Sequence, residues 1–337
     1  MLDGPLARCT RQSHRRRGVM TVSYCAVTVM TTASAIWLTT YSCQRQREYE
    51  REKEAAKSFE AVRGTVGWRW LAPDWLATRN LKDRMPYLQT VTWVYLSQAK
   101  LDQEHIRRLA HVPHIRKLTL ADTNVTDADL PYIGKLRSLE VLDISGTGIS
   151  DEGLKHLGEC RALAGLLASD TRITGTGLRH VRSLERLFLS NCPIKSATLE
   201  RLHELHKLNT LVLSGKEVDD AVIEQVSKLV SIECLSVSDC DVSDTALAYL
   251  AKLPRMANLT VEGQKITDNG LAHLKRVTTL KTLTLSNTRV TAAGIGDLKR
   301  TLPELLVSCR DEPMKGEPSS SKMDCDGPAN VVCRNEG

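Results

Sequence analysis

One pattern governs the middle of this chain. The stretch from Leu139 to Leu157 runs L-x-x-L-x-I-x-x-T-x-I-S-D-x-G-L-x-x-L, and it recurs. The slot of Ile144 is refilled by Leu96, Leu120, Ala168, Leu189, Leu213, Val237, Val261 and Leu285. Neighbouring members lie 24 residues apart, except for 21 between Ala168 and Leu189. A fixed period of this size means a stack of identical supersecondary units rather than a closed globule.

Each unit carries two apolar faces. L-x-x-L-x-L alternates like a strand with one buried side. The chain then turns, and a Ser/Thr-Asp pair opens a short helix at Thr126-Asp127, Ser150-Asp151, Ser243-Asp244 and Thr267-Asp268. These pairs place capping oxygens where the first helical N–H groups lack partners. Leu154 and Leu157 fall on one helix face. A lone unit cannot bury both faces, so neighbours must stack into a parallel strand ladder with helices along the other side.

The pattern resembles the leucine-rich repeat over about residues 91–309. That family places Asn or Cys three residues after the last strand leucine, where the side chain satisfies turn backbone. Here the slot holds Thr123, Thr147, Thr171, Cys192, Lys216, Cys240, Gln264 and Thr288. This usage, with the T-D-x-G-L tail, is similar to the cysteine-containing subtype and more so to 24-residue bacterial versions. The resemblance implies an α/β leucine-rich repeat solenoid with helices on the convex side. It implies no particular ligand, because one fold hosts many roles.

Charge excludes one class of partner. The formal charge is +6, and residues 1–18 supply +4 of it through five Arg against Asp3. The repeats are therefore close to neutral, without the basic footprint of a nucleic-acid binder. Two Phe in 337 residues leave few stacking platforms for single strands. The ten cysteines form no compact framework. Cys192 and Cys240 share a slot two repeats apart, roughly 10 Å at the spacing of parallel strands, too far to bridge. Both are expected as buried turn thiols. Cys325 and Cys333 have the opportunity to pair with each other in an oxidising compartment.

The flanks suggest a membrane. Residues 1–18 form a basic tail ending in Arg15-Arg16-Arg17, and residues 19–42 carry no charge. That length suits one transmembrane helix, although nine of its 24 residues are Ser or Thr. A cleaved signal peptide is the rival reading, with Val19–Met30 as its apolar core and Ala33-Ser34-Ala35 as the cleavage site. The arginine triplet abutting the span favours an internal N-terminus and extracytoplasmic repeats. Residues 43–63 are expected as a charged, solvated helical stalk. Residues 64–90 are expected to cap the first repeat, with Trp68, Trp70 and Trp75 and the nearby Trp93 and Tyr95 clustered there; an aromatic ligand site is the alternative. Residues 310–337, rich in Pro, Gly, Ser and charge, read as a disordered tail. The order of basic tail, span, charged helix and Gly64-Thr65-Val66-Gly67-Trp68 resembles the start of membrane-anchored bacterial leucine-rich repeat proteins.

Catalytic chemistry finds no foothold. His156, His180 and His273 share one helix slot, which repeat copying explains. The repeated aspartates sit at helix starts, where capping explains them. No phosphate loop, nucleophile elbow or zinc motif occurs. The expectation is a non-catalytic binding protein with no cofactor and no metal. Strand side chains alternate, so the concave column reads Thr119, Asp143, Leu167, Phe188, Val212, Ser236, Thr260 and Thr284. Its flanking column holds Val141, Gly165, Arg186 and Thr210. Val141, Asp143, Leu167, Arg186, Phe188 and Val212 therefore form the candidate patch for an unidentified protein or peptide, combining apolar side chains, one aromatic and one Arg. The alternative function is an intracellular substrate adaptor of the cysteine-containing type, which requires the repeats to face the cytoplasm.

Overall fold

The computed structural model describes residues 40–71, 85–199 and 202–310. The basic tail, most of the uncharged segment 19–42, Trp75 and the tail from 311 onward lie outside the described residues. Among those described, no helix is long and apolar enough to cross a membrane. The chain divides into two compact units, Met1–Glu54 with Arg69–Thr90, and Ala55–Trp68 with Val91–Gly337.

The strands are β1 (Thr65–Trp70), β2 (Gln89–Tyr95), β3 (Lys117–Thr119), β4 (Val141–Asp143), β5 (Gly165–Leu167), β6 (Arg186–Ser190), β7 (Thr210–Ser214), β8 (Cys234–Ser238), β9 (Asn258–Glu262), β10 (Thr282–Ser286) and β11 (Leu306–Arg310). They form one sheet in sequence order. From β2 onward every neighbouring pair is parallel, with equivalent repeat positions opposite each other. The repeat period is thus the register. β11 extends past the expected end of the repeats: Leu306–Arg310 pairs residue for residue with Thr282–Ser286, so Arg310 belongs to the sheet rather than to a tail.

The core is one continuous cluster. Leu118, Leu142, Leu166, Leu187, Leu211, Leu235, Leu259 and Leu283 line the inner sheet face, and Leu130, Leu154, Leu178, Leu247 and Leu271 meet them from the helices. Each such leucine contributes about 1.5–3 kcal/mol by leaving water. The turns after β2 through β8 and after β10 pass through the left-handed region at Gln98, Asp122, Gly146, Asp170, Asn191, Gly215, Asp239 and Asn287. The residues there are mainly Asp, Asn and Gly, the types that tolerate positive φ at least cost.

The next slot closes the turn. Thr123, Thr147 and Thr171 donate their hydroxyls to the carbonyls of Leu120, Ile144 and Ala168 at 2.6–2.7 Å. Cys192 donates to the Ala168 carbonyl at 3.1 Å, and Cys240 to the Ser238 carbonyl at 2.9 Å. Cys192 is buried as expected, whereas Cys240 is half-buried. Burial pushes the Cys240 thiol up to about 12 and, with the nearby Glu159 charge, the Cys160 thiol up to about 11.

The helical residues 40–61 correct the expectation of a solvated stalk. Within the first unit, Arg45 and Glu52 are almost fully buried and pair at 3.1 Å. The Arg45 guanidinium also donates to the Gln89 carbonyl, and the Thr90 hydroxyl donates to Glu52 at 3.1 Å. Two buried charges persist only when paired and bonded in this way. Within the second unit, Ala55 and Phe59 belong to the solenoid core. The spacing Arg45, Glu52, Ala55, Phe59 is one helical stripe. It was masked in the sequence by charge on every other side.

Candidate interaction face and inter-repeat staples

The outer sheet face carries two columns. One runs Trp93, Lys117, Val141, Gly165, Arg186, Thr210. The other runs Tyr95, Thr119, Asp143, Leu167, Phe188, Val212. The sequence-derived patch is therefore contiguous across β4 to β7, with two residues each from β4 and β6 and one each from β5 and β7. Val141, Leu167, Arg186, Phe188 and Val212 are all half-buried. Asp143 differs: it is only 8% exposed, and its Oδ1 accepts the Ser145 N–H at 3.0 Å. Burial, with a contribution from Asp122, raises its pKa despite that bond. Asp143 is a turn-bracing carboxylate rather than a contact group, and it drops out of the patch.

Arg186 has a place of its own. The missing side chain at Gly165 leaves a gap between Val141 and the Arg186 guanidinium, which a Cβ would touch at 3.5–3.8 Å. Among the described residues Arg186 makes no ion pair, in contrast to Arg116 with Glu140 and Arg182 with Glu204 on neighbouring repeats. A half-buried, unpaired guanidinium beside Phe188 and Leu167 is poised to accept a carboxylate from outside.

Two aromatic residues extend this face. Trp93 and Tyr95 are 37% and 41% exposed and meet edge to face with centroids 5.2 Å apart. They were expected within the cap. Instead they occupy the outward strand positions, because strand alternation sends Val91 and Val94 inward. Gly67 of β1 lies directly against the Trp93 indole and leaves no room for a Cβ. The alternation signal is present in Val91-Thr92-Trp93-Val94-Tyr95, which ends at Leu96 in the repeating slot.

The helix side carries an arrangement the sequence reading misassigned. The aspartates do not cap their own helices. Ser150, Ser243 and Thr267 do, accepting N–H groups two residues on. Each aspartate instead reaches into the following repeat. Asp127 accepts the Ser150 N–H at 2.8 Å and its hydroxyl at 2.6 Å. Asp220 binds Ser243, Asp244 binds Thr267 and Asp268 binds Thr291 in the same way. The cap hydroxyl thus accepts from its own helix and donates to the carboxylate behind it. Asp151 does more, accepting from Thr174 N–H and hydroxyl at 2.9 and 2.7 Å, Gly175 at 3.1 Å and Gly177 at 2.6 Å. Burial alone would raise its pKa, but these four donors hold it below the ordinary value.

This staple explains the glycine of the T-D-x-G-L tail. The slot two residues after each aspartate lies against the preceding repeat's aspartate, so it must be small. It holds Gly153, Gly177, Gly270 and Gly294, where a Cβ would collide with Asp127, Asp151, Asp244 and Asp268 respectively, and Ala246 after Asp220. Where no aspartate precedes it, the slot is larger: Asp129 after Gln103, Thr198 after Gly175 and Val222 after Ser196.

Among the described residues, no three His, Cys, Asp or Glu side chains gather as a metal site. Comparison with known proteins agrees with the repeat architecture. A family model described as a leucine-rich repeat region matches residues 87–307. The chain belongs to the leucine-rich repeat family. Two solved structures are similar to this leucine-rich repeat protein. Internalin C2 of Listeria monocytogenes is 21% identical over 60% of this chain and 83% of its own, with a TM-score of 0.46. A second internalin of that organism, inlF, is 16% identical over 65% and 82%, with a TM-score of 0.37. No curated protein matches the chain.

Proposed function

We propose that this leucine-rich repeat protein is a membrane-anchored, non-catalytic module. It binds another protein through the outer face of its sheet. The observation that carries the reading is Arg186, a half-buried guanidinium with no ion pair among the described residues, set beside Phe188, Leu167, Val212 and Val141. A protein segment offering one carboxylate amid apolar side chains matches this chemistry. Aromatic and arginine anchors in a half-buried setting are where binding energy concentrates. A photoreactive residue at Thr210 would cross-link such a partner. Arg186→Glu or Phe188→Ala should each reduce the cross-linked yield, while Thr284→Ala leaves it unchanged. Equal yield from all three folded variants would defeat the reading.

The anchor part of the proposal rests on the uncharged segment 19–42, supported by a helix that is already formed at residue 40 within it. The arginine triplet before it favours repeats outside the cytoplasmic membrane. One-sided thiol labelling of sealed cells, through a Cys at Ser319 in a chain lacking the native cysteines, tests this. External labelling of membrane-bound protein fits the proposal. Labelling only after lysis would place the repeats in the cytoplasm and favour the adaptor function.

A further inference from the structure

The five staples do not form one ladder. Asp127–Ser150 and Asp151–Thr174 make a first run, and Asp220–Ser243, Asp244–Thr267 and Asp268–Thr291 make a second. Between them the sequence withdraws every part of the device. Gly175 and Ser196 stand in the aspartate slot, and Lys195 and Asp219 stand in the Ser/Thr slot. The small slot is filled by Thr198 and Val222, so no preceding carboxylate has to be accommodated. A backbone rung also fails there. Arg172 donates its N–H to the Ile149 carbonyl at 2.9 Å, and Asp241 to Val218 at 3.0 Å. The equivalent position is Pro193, which has no N–H to give. The short 21-residue spacing falls at the same place.

Helix geometry changes across this point. On the N-terminal side the helices at Leu130–Ile133 and Asp151–Leu154 are four residues long, and Thr176–His180 is 3-10. On the C-terminal side Asp220–Val226, Asp244–Leu250 and Asp268–Leu274 are each seven-residue α-helices. The sheet and the leucine core cross without interruption, through β5, β6 and β7, together with separate side-chain bonds from Cys192 to the Ala168 carbonyl, from Thr198 to the Thr174 carbonyl and from Arg182 to Glu204.

We infer that the solenoid is two cooperative blocks joined at one seam, the repeat between Thr174 and Asp219, and hinged along its helix-side edge. In a stack where each repeat touches only its neighbours, stability is a sum of repeat and interface terms. Two consecutive interfaces without a staple, the first of them also without the rung, therefore separate the array into two opening units. The consequence for binding rests on the proposed function: Leu167, Phe188 and Val212 lie on β5, β6 and β7, astride the seam. A partner seated there would hold both blocks together.

Hydrogen exchange of the full chain in detergent tests the inference, comparing Asp127→Ala with Asp244→Ala. Asp244→Ala should speed exchange about tenfold or more in β7–β10 and leave β3–β5 within about twofold, because sub-global units open separately. Asp127→Ala should do the reverse. A second chain, Ser196→Asp with Asp219→Thr and Val222→Ala, rebuilds one missing staple and gives its carboxylate the small neighbour that Ala246 gives Asp220. Residue 219 has the same extended conformation as Ser150 and Thr267, so the hydroxyl is presented correctly. In that background Asp244→Ala should spread its effect into β6, up to the interface with β5 that still lacks staple and rung. Equal deprotection on both sides by either single variant in the native background would overturn the two-block reading. So would an Asp244→Ala effect that still stops at β7 and leaves β6 unchanged after the repair.

Discussion

Replacing Asp151 by Ala is the sharpest test of the staples. Its carboxylate serves four donors, three of them backbone N–H groups. Gly175 and Gly177 are buried residues, so their N–H groups gain little from water once the carboxylate is gone. A buried donor left unsatisfied costs about 1–3 kcal/mol. Two such donors, with the half-exposed Thr174 pair discounted for access to water, bring the loss to about 3–5 kcal/mol. Asp127→Ala removes two bonds at a part-buried site and should cost about half as much. Asp268→Ala removes two bonds to an exposed Thr291 and should cost least. Asp151→Asn keeps one oxygen for Gly175 and Gly177 but turns an amide N–H2 toward the Thr174 N–H, so an intermediate loss is expected. Urea unfolding at neutral pH, followed by far-UV circular dichroism and by exchange at Gly175 and Gly177, measures the series. If Asp151→Ala costs no more than Asp268→Ala, the staple argument is wrong.

Three further outcomes follow from the same geometry. Gly177→Ala should lose about 1–3 kcal/mol by overpacking, since its Cβ would lie 2.7 and 2.8 Å from Asp151 backbone atoms, whereas Gly148→Ala, with nothing nearer than 3.8 Å, should be close to neutral; thermal melts distinguish them. Asp143 has a raised pKa in the fold, so its ionisation destabilises the native state as pH rises from the unfolded value of 3.8 through the shifted one. Asp143→Asn, which can still accept the Ser145 N–H, should therefore melt higher than the parent near neutral pH and lose that advantage below 3.8. In single-cysteine chains at about pH 7, exposed Cys43 and Cys309 should label with maleimide quickly, and Cys160 and Cys240 slowly, because burial suppresses their thiolates; equal rates would contradict the burial assigned to Cys160 and Cys240.

The unseen parts of this site were hidden for specific reasons. Asp151 and Gly177 are 26 residues apart, and their contact exists only once one repeat is laid on the next. A per-repeat reading assigns Asp151 to its own helix, where capping is a sufficient explanation. The coupling was nevertheless written in the chain, as large residues at Asp129, Thr198 and Val222 wherever the preceding repeat lacks the aspartate. Seeing it requires comparing consecutive repeats rather than aligning them all. Trp93 and Tyr95 were misplaced because aromatic clustering near a solenoid end suggests a cap, while alternation alone puts both on the outer face. Residues 44–63 looked solvated because a buried Arg45–Glu52 pair has the composition of a surface.

The sequence by itself determined the period, the parallel register of β2 through β10, the inward leucines and the columns that hold Leu167, Phe188 and Val212. Those properties follow from local alternation and a fixed repeat length, which leave one way to stack. Tertiary structure alone decided which carboxylates join repeats, that Asp143 is buried while Arg186 remains without an ion pair among the described residues, and that the staple ladder stops between Thr174 and Asp220. These depend on which side chains meet across a stacking interface, a property of two repeats together that neither contains alone.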